Sequence, residues 1–543
     1  MAENEFDYIV VGAGSAGCVL ANRLSADPAV RVCLIEAGSS DRKPIPAFKT
    51  RIPVGSVMTL PSPRYNWGYN FTGHEGLRHR AIPTHRGRGF GGTSSVNGMV
   101  YMRGHPRDYD EWGEQGNPGW SWNDVLAIFK RHENHERGED AFHGVGGELN
   151  VAAPRHLNEV TKAFVAAAGE TQFPTNVDFN GAAQDGFGPW ELTQKNGQRW
   201  NAARAFLHPV IHRHNLTVMD ETMSERVRFE GRRAVGLTAR RGGEVLELAA
   251  RREIILAGGV YNSPQLLMLS GIGHESELRR HGIAVIHHLP GVGKNLQDHP
   301  AAWIELTEPT GVSIALNAGT LPRYVRAVFS YFLMRRGPLV SNNVEAGGYA
   351  RSRAGLERPD LQYVFMPALR DPGRFVPRQH GLTLMPILMR PKSRGEIELV
   401  SARAQDKPIL HPRFLDHEED VDVLVQGIRI GRQILSAPAL SAYRGVELRP
   451  GPQAQSRDDL AEFLRSNIMT SFHPVGTCKM APASDPMAVV DHTLQVRGVE
   501  GLRVADASIM PTIIGGNTNA PSMMIGERGA QFALESARRA AAA

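Results

Sequence analysis

One histidine near the C-terminus stands in a setting that suits proton transfer. His473 precedes Pro474 in the segment Ser471-Phe472-His473-Pro474, and a proline biases the residue before it away from the helical conformation. We therefore expect His473 to lie in an extended or loop segment, from which its ring can point into a cavity. An imidazole titrates near neutral pH and can act there as a base. The chain has 21 histidines, so this setting alone does not single out His473.

Three glycines near the N-terminus predict a dinucleotide site. The apolar run before Gly12 breaks into a GxGxxG spacing with Gly14 and Gly17, and a helical pattern resumes from Ser15 and Ala16 onward. In such a strand–turn–helix unit the first glycine forms the turn, the second admits a pyrophosphate, and the third lets the helix pack on the strand. The N-terminus of the helix then faces the phosphate charge.

Glu36 completes this pattern. It follows a second apolar strand, Arg31-Val32-Cys33-Leu34-Ile35, and comes about 20 residues after Gly17, the spacing at which an acidic side chain accepts hydrogen bonds from a ribose. The pattern predicts a dinucleotide cofactor and leaves NAD and FAD both open.

A glycine-rich stretch follows at Gly87-Arg88-Gly89-Phe90-Gly91-Gly92-Thr93-Ser94-Ser95-Val96-Asn97-Gly98. It is too rich in glycine for a helix interior and too long for a simple turn. Small residues and free backbone N–H groups suit contact with a flat ring or a phosphate, and the Asn97 amide can hydrogen-bond a ring. A flexible surface loop is the alternative.

Composition limits the remaining classes of protein. The chain has 543 residues, 41% of them hydrophobic, which is enough for about two or three domains. Its 61 Lys and Arg are balanced by 56 Asp and Glu, so nucleic acid is not an expected partner. Three cysteines are too few for a disulfide framework and indicate a reducing compartment. No metal site is predicted.

The N-terminus and the hydropathy pattern bear on location. The first residues are acidic, with no basic and apolar leader, which predicts no signal peptide. No stretch reaches the ~20 apolar residues of a membrane span. We expect a cytoplasmic protein, with any membrane contact peripheral and at the inner membrane.

The N-terminal strand–turn–helix unit with its three glycines, together with 87–110 and 259–273, resembles the signatures of the glucose–methanol–choline (GMC) oxidoreductase family. The resemblance runs the length of the chain and is strongest to the choline dehydrogenase and alcohol dehydrogenase branch. It implies FAD as the dinucleotide. It also implies a non-covalent FAD, because Val96 stands where some choline oxidases carry a linking histidine. Beyond the residues of the turn and Glu36, the implied FAD contacts are Gly91, Thr93, Asn97, Gly98, the backbone of Val227 at the adenine, Asp506 and Asn517.

The resemblance also implies two interleaved domains. One is an α/β FAD-binding domain with a Rossmann-like parallel sheet, and the other is an α+β substrate domain on an antiparallel sheet. The FAD-binding domain is predicted over 1–155, 199–298 and 466–543, and the substrate domain over 156–198 and 299–465. Alternating apolar patterns at Leu361–Phe365 and Glu396–Leu399 favour the antiparallel sheet independently.

A catalytic pair follows from the same resemblance. His473 matches the catalytic histidine of the family, and Asn517, in Gly516-Asn517-Thr518-Asn519-Ala520-Pro521, matches its partner. Oxidation of an alcohol needs a base near working pH while the α-hydrogen leaves as hydride for flavin N5. We predict that His473 is this base and that Asn517 orients the substrate oxygen by a hydrogen bond. The expected reaction converts a primary alcohol to its aldehyde.

Three features of the predicted substrate domain bear on substrate and partners. The segment 321–336 has apolar residues at helical spacing and flanking arginines, which suits an anionic membrane that holds quinone. Packing over the substrate domain, or on a second copy in a homodimer, is the alternative. Glu345 lies in a segment similar to one where choline-oxidising relatives place a carboxylate near the trimethylammonium group, and a structural hydrogen bond is its alternative. Arg390 stands where choline oxidases carry a second active-site histidine, which argues against choline.

Other activities stay open at this level. The dehydrogenase resemblance and Val96 predict electron transfer to a quinone or another acceptor rather than to O2, and an alcohol or choline oxidase is the alternative. Hydroxynitrile lyases share the fold and the histidine region, so a lyase is a further alternative. A photodecarboxylase is disfavoured because 299–465 contains no cysteine.

Overall fold

The computed structural model of the protein describes residues 4–42, 44–370 and 376–542. Its first large sheet has seven strands and is parallel around Glu5–Val11, which pairs with Val32–Ile35 on one side and Glu244–Leu256 on the other. The strand order is Leu216–Met219, Val32–Ile35, Glu5–Val11, Glu244–Leu256, Arg233–Arg241 and Thr222–Glu230, with Leu502–Val504 also paired to Glu244–Leu256.

The long strand Glu244–Leu256 joins two parts of this sheet. Its first half pairs antiparallel with Arg233–Arg241, and its last residues lie in parallel between Glu5–Val11 and Leu502–Val504. Ile254, Ile255 and Leu256 are fully buried there, as expected for a central parallel strand that is covered on both faces. The predicted parallel sheet is confirmed.

A second sheet is antiparallel and has eight strands. The strand order is Glu447–Arg449, Ile304–Thr307, Gly381–Leu388, Leu361–Met366, Ala346–Ala350 and Gly186–Pro189, with Pro300–Ala301 between Gly381–Leu388 and Met469–Thr470. The predicted antiparallel sheet is confirmed. Glu396–Glu398 is a strand but pairs with Ile409–His411 in a separate sheet, because an alternating pattern predicts a strand and not its partner. Met469–Thr470 joins this sheet although it follows residue 465, and the domain boundaries themselves stay a prediction.

Helices and small two-stranded sheets complete the fold. The α-helices are Ser15–Leu24, Pro44–Arg51, Ser56–Thr59, Pro106–Glu114, Trp122–His132, Glu159–Glu170, Gly259–Leu269, Glu275–Arg280, Leu321–Met334, Glu418–Leu435, Arg457–Asn467 and Asn519–Ala542. The remaining strand pairs are Tyr69–Phe71 with Ile82–Thr84, Glu133–His135 with Leu149–Val151, Gln194–Lys195 with Gln198–Arg199, and Ile272–Gly273 with His287–His288. In the described part of the chain, every helix is too short or too polar to cross a bilayer.

The first and last helices pack closely beside the parallel sheet. A Cβ on Gly526, in Asn519–Ala542, would lie 2.6 Å from the carbonyl oxygen of Ala16. Ser15 Oγ donates a hydrogen bond to Asn519 Oδ1 at 2.7 Å. The N-terminal ends of the two helices are therefore held side by side, although they are far apart in sequence.

Candidate active site

A cavity of about 1100 Å³ lies between the two large sheets. On one side it is lined by the carboxyl ends of the parallel strands, at Val11, Glu36, Leu256 and Asp506. Open parallel sheets place their ligands at this edge. On the other side the cavity is lined by one face of the antiparallel sheet.

The glycine turn has the geometry that a bound pyrophosphate needs. Gly12 has φ +102°, and a Cβ there would lie 2.6 Å from the carbonyl oxygen of Ala257. A Cβ on Gly17 would lie 1.8 Å from the carbonyl oxygen of Gly12, so Gly17 lets the helix pack on the turn without itself lining the cavity. At Gly14 the nearest such contact is 4.0 Å away, so this backbone is open toward the cavity.

The glycine-rich segment packs on this turn. Gly91 N donates to the carbonyl oxygen of Ala13 at 2.8 Å, and a Cβ on Gly92 would lie 2.8 Å from Gly14 Cα. This close packing, rather than a flexible loop, explains the density of glycine. Gly91 supports the wall from behind, while the following residues that line the cavity are Gly92, Thr93, Val96, Asn97 and Gly98.

The Asn97 amide is partly committed within the protein. Its Oδ1 accepts hydrogen bonds from Arg199 Nη1 at 2.9 Å and from Met99 N at 3.0 Å. Its Nδ2 is therefore the atom that can serve a ligand, and it can only donate.

Glu36 connects the turn to the glycine-rich segment. Its carboxylate accepts backbone N–H bonds from Ala13 at 2.9 Å, Gly38 at 2.7 Å and Gly89 at 3.0 Å. Burial raises the pKa of Glu36, against the lowering effect of these donors. A carboxylate offers about four acceptor positions, so capacity is left for a ribose hydroxyl.

Asp506 has a similar double role. It lines the cavity and accepts hydrogen bonds from Gly259 N at 2.9 Å, Ser263 Oγ at 2.6 Å and Ser508 N at 2.8 Å. It therefore fixes the start of helix Gly259–Leu269 at the cavity wall.

The structure places the adenine-side strand differently from the prediction for Val227. Val227 N donates to Ser270 Oγ at 2.8 Å, and Val227 is outside the set of described residues that line the cavity. The lining residues of that strand are Thr222, Met223 and Ser224, three to five residues earlier. Ser224 Oγ is buried without a hydrogen-bond partner among the described residues. The family resemblance implied Val227, and the tertiary structure decided which residues of this strand face the cavity.

The predicted catalytic pair is brought together. Asn517 Nδ2 lies 2.9 Å from His473 Nε2, and both side chains line the cavity. Asn517 Oδ1 accepts a hydrogen bond from Gln362 Nε2 at 3.3 Å, which turns the amide nitrogen toward the histidine. Because an amide nitrogen only donates, His473 Nε2 accepts and carries its lone pair on the cavity side.

His299 is a neighbour of this pair that our sequence reasoning missed. His299 Nδ1 lies 3.1 Å from His473 Nδ1. Because Nε2 of His473 is unprotonated, the ring proton of His473 is on Nδ1, and this N–H donates a hydrogen bond to His299 Nδ1. His299 also precedes a proline, but five His-Pro pairs occur in the chain, so this signal could not have identified it.

Asp298 holds the backbones of both histidines. Its Oδ1 accepts from His299 N and from His473 N, each at 2.8 Å. Burial raises the pKa of Asp298 to about 6. Burial and the charge of Arg86 lower the pKa of His473 to about 3, and the pKa of His299 is likewise lowered by burial and by its neighbour His473. Both imidazoles are therefore neutral at physiological pH.

The substrate-binding role predicted for Glu345 is not supported by this geometry. The buried carboxylate accepts hydrogen bonds from Asn158 N at 2.7 Å, Thr161 Oγ1 at 2.6 Å and Ser341 Oγ at 2.6 Å. It lies outside the described cavity lining and joins the start of helix Glu159–Glu170 to the antiparallel sheet. These contacts favour the structural alternative for Glu345.

Arg390, the other predicted substrate contact, also binds within the protein. Its guanidinium pairs with Asp108 at 2.5 Å, and it is absent from the described cavity lining. The same Asp108 accepts a hydrogen bond from Gly515 N at 2.6 Å. Arg390 thus lies behind the loop that carries Asn517 and not among the groups facing a substrate.

One group of metal-ligand types occurs in the described residues, at Glu133, His135 and His143. His143 Nδ1 lies 3.2 Å from Glu133 and Nε2 lies 3.0 Å from Asp178, so both ring nitrogens carry protons and neither offers a lone pair. Arg103 adds a buried cation 2.7 Å from Glu133. We call Arg103, Glu133, His143 and Asp178 the charged cluster; its chemistry is that of an ion-pair network rather than of a metal site.

Comparisons with known proteins point to one family over most of the chain. Two family models described as GMC oxidoreductase match residues 6–301 and 391–526. An alcohol dehydrogenase (acceptor) of Pseudomonas putida is 44% identical over 531 residues, covering 97% of this chain and 95% of that protein. A mitochondrial choline dehydrogenase of Homo sapiens is 42% identical, with 98% of this chain and 90% of that protein covered. An Aspergillus oryzae formate oxidase, from a structure concerned with FAD modification, has a TM-score of 0.90 and 27% identity, covering 99% of this chain and 100% of that one.

Proposed function

Because the chain belongs to the GMC oxidoreductase family, we propose that it oxidises a primary alcohol to the aldehyde, with FAD as hydride acceptor and His473 as base. The observation that carries this proposal is the 2.9 Å contact between Asn517 Nδ2 and His473 Nε2. It lies in the wall of the same cavity as the glycine turn.

The residues of the turn fit FAD. The open backbone at Gly14 and the N-terminal ends of helices Ser15–Leu24 and Asn519–Ala542 suit a pyrophosphate, Glu36 has an acceptor left for a ribose, and the unpartnered Ser224 Oγ suits the adenine end. We propose that FAD is bound without a covalent bond, because Val96 in the glycine-rich wall has no nucleophile. Acid precipitation of the protein should leave the yellow colour in the supernatant, and colour retained in the pellet would disprove non-covalent binding.

His473 takes the hydroxyl proton in this proposal. A substrate hydroxyl replaces the direct contact between His473 Nε2 and Asn517 Nδ2, so that it donates to Nε2 while its oxygen accepts from the amide. FAD, when bound, would supply the hydride acceptor, so that the alcohol gives its hydroxyl proton to His473 and its α-hydrogen as hydride to the cofactor. The buried cation of Arg86, which with His473 lines the cavity, favours negative charge developing on the substrate oxygen.

Anaerobic mixing with a panel of primary alcohols tests the reaction. Bleaching of the flavin absorbance together with formation of aldehyde is the expected result. A hydroxynitrile lyase would release aldehyde from a cyanohydrin and leave the flavin oxidised in the presence of an alcohol, which would overturn the proposal.

We propose a quinone or another organic acceptor, rather than O2, as the electron acceptor. The support is the likeness to an alcohol dehydrogenase (acceptor), although other relatives are named oxygen-dependent choline dehydrogenases. Stopped-flow reoxidation of the alcohol-reduced enzyme decides between them. We expect faster reoxidation by a water-soluble quinone than by air-saturated buffer; faster reoxidation by O2, with peroxide formed in step with aldehyde, would make it an oxidase.

We further propose that helix Leu321–Met334 makes peripheral contact with an anionic membrane. Its apolar side chains are not covered by the substrate domain: Phe329 is 62% and Leu333 is 80% exposed. Tyr331, on the opposite face, is buried and packs with Ile52 and Val340. The exposed large apolar residues of this surface are Ile45, Phe48, Leu321, Val325, Val328, Phe329, Phe332, Leu333 and Met334.

The basic charge of this surface and its continuity across two helices favour lipid over a protein partner. Phe48, on helix Pro44–Arg51, stacks on Phe332 at 6.1 Å, so the two helices form one surface. Neither 42–58 nor 309–344 contains an acidic residue, and both contain arginines. A basic, apolar helix of this kind lies in the interface of an anionic bilayer.

Co-sedimentation with vesicles tests the membrane contact. We expect binding to vesicles containing anionic lipid, weaker binding to zwitterionic vesicles, and loss of binding in a Phe329→Ser/Leu333→Ser double variant that keeps its flavin. If that variant instead converts a homodimer to a monomer in solution, the surface is a contact between copies and the membrane proposal falls.

A further inference from the structure

The relatives leave the charge of the substrate undecided, since some are named alcohol and others choline dehydrogenases. The cavity wall beyond the catalytic pair bears directly on this question. In strand Leu361–Met366 every second residue lines the cavity, at Gln362, Val364 and Met366, as the alternation of a strand requires.

This face leads outward from the catalytic pair and is apolar. Gln362 contacts Asn517, and the register places Met385 opposite Val364 and Ile387 opposite Gln362. Val364 and Met366 follow at about 7 and 13 Å along the strand, at 3.3 Å per residue. A substrate held at Asn517 would therefore lay its carbon chain against these aliphatic side chains.

The charges at the outer end of this face are positive. Arg80, Arg370 and Arg449 line the cavity there. Among the described residues, Glu305 is the acid beside them: it accepts from the backbone N of Arg370 at 3.0 Å and pairs with the guanidinium of Arg449 at 3.4 Å. The pKa of Arg370 is lowered to about 10 by its burial and by Arg449 and Arg80, against the effect of Glu305. Within the described part of the chain, three guanidinium groups therefore stand beside one carboxylate.

Two kinds of group could attract a cationic substrate, namely carboxylates and aromatic rings. The carboxylates among the described lining residues are Glu36 and Asp506, which lie on the glycine-turn side and each accept three hydrogen bonds from the protein. Trp303 is one of the aromatic side chains that line the cavity, and Arg370 lies 3.4 Å above its ring centroid. That face of the ring is occupied by a cation.

From this arrangement we infer that the enzyme selects an uncharged, apolar alcohol and rejects quaternary ammonium alcohols such as choline. The inference rests on the proposed alcohol oxidation and names the substrate class for it. A trimethylammonium group bound here would lose its hydration without gaining a counter-charge, and it would face like charges at Arg86 and at the arginines of the outer end.

An isosteric pair of alcohols isolates the charge. Choline and 3,3-dimethylbutan-1-ol have nearly the same shape and differ by one positive charge. With the flavin-loaded enzyme, we expect the ratio of flavin-reduction rate constant to apparent Kd to be at least tenfold higher for the uncharged alcohol. An equal or higher value for choline would overturn the inference while leaving alcohol oxidation intact. If no member of the pair and no simple primary alcohol reduces the flavin, the proposed function itself fails, and the inference with it.

Substitution of one arginine tests the cause of the selectivity. Arg370→Gln should lower the preference for the uncharged alcohol severalfold, because it removes a cation and uncovers Trp303. Arg279→Gln removes an exposed arginine outside the cavity lining and should leave the ratio unchanged. Equal ratios in wild type, Arg370→Gln and Arg279→Gln would show that the arginines do not set it. The measurement on the wild type stands even if Arg370→Gln fails to fold.

Discussion

Two groups of buried histidines behave in opposite ways in this protein. His473 and His299, the histidine pair, face each other beside the cavity, and burial with the charge of Arg86 lowers the pKa of His473 to about 3. His143, in the charged cluster, is equally buried, but Asp178 and Glu133 raise its pKa to about 9.

The difference lies in the partners and not in burial. His143 has a carboxylate at each ring nitrogen, so the protonated form is the stable one. His473 has an amide and an imidazole instead, so it stays neutral and keeps a lone pair toward the cavity. A buried histidine is therefore a candidate base only where its neighbours leave a nitrogen unprotonated and accessible.

The largest expected effect is on the chemical step. His473→Ala should lower the rate of flavin reduction by alcohol by about 10²–10⁴-fold, as for loss of a general base, with FAD still bound. His143→Ala is the matched control, and each flavin-loaded molecule of it should reduce at nearly the wild-type rate. Stopped-flow absorbance measures both. Reduction of His473→Ala within threefold of wild type would contradict the assigned base.

The free energy of unfolding should depend more on the charged cluster than on the histidine pair. Glu133→Gln leaves Arg103 buried without its carboxylate, and we expect the free energy of unfolding to fall by about 3–5 kcal/mol. His473→Asn removes no charge, and the loss should be about 1 kcal/mol, as for one neutral hydrogen bond. Urea denaturation of the two variants gives the comparison, and similar losses in both would mean that the charged cluster is not a true ion-pair network.

The two regions should also respond to pH with opposite sign. The folded pKa of His473 lies below the unfolded value of 6.5, so the unfolded state binds the proton first, and stability falls as pH drops from 6.5 toward 3. The folded pKa of His143 lies above 6.5, so its stabilisation is complete below pH 6.5 and is lost as pH rises toward 9. Each contributes a slope of about 1.4 kcal/mol per pH unit.

Unfolding free energies at pH 5.5, 6.5 and 8.5 test these signs. We expect His473→Asn to flatten the acid side of the wild-type profile and His143→Asn to flatten the alkaline side. If His473→Asn changes only the alkaline side, the histidine is charged in the folded protein and the proposed tautomer is wrong.

The smallest expected effect concerns His299 as a positioning residue. His299 accepts a hydrogen bond from His473 Nδ1, and leucine offers no such acceptor. His299→Leu should therefore slow flavin reduction by roughly tenfold, which corresponds to about 1.4 kcal/mol. His299→Gln offers an acceptor and should restore part of the rate. A merely structural role would give no such rescue, and a wild-type rate in His299→Leu would remove His299 from the mechanism.

The sequence was sufficient where a property depends on local backbone geometry and residue type. Gly12 has a positive φ, and Gly17 has no room for a Cβ beside Gly12. Apolar runs predict the adjoining strands. The dinucleotide-binding fold could therefore be predicted, because these features depend on residues close together in the sequence. The resemblance then identified His473 and Asn517, which the structure places in contact.

Tertiary structure decided the roles of the other polar residues, because those roles depend on partners far away in sequence. Glu345 is separated by 184 residues from the Thr161 hydroxyl that it binds, and His299 by 174 from His473. Glu345 and Glu36 each accept three hydrogen bonds from the protein. They differ because Glu36 lines the cavity, whereas Glu345 lies outside its described lining. Residue type is the same in both cases. Only the packing that fixes each group's donors and exposure could place Glu345 against Thr161, His299 against His473, and Ser224 rather than Val227 in the cavity wall.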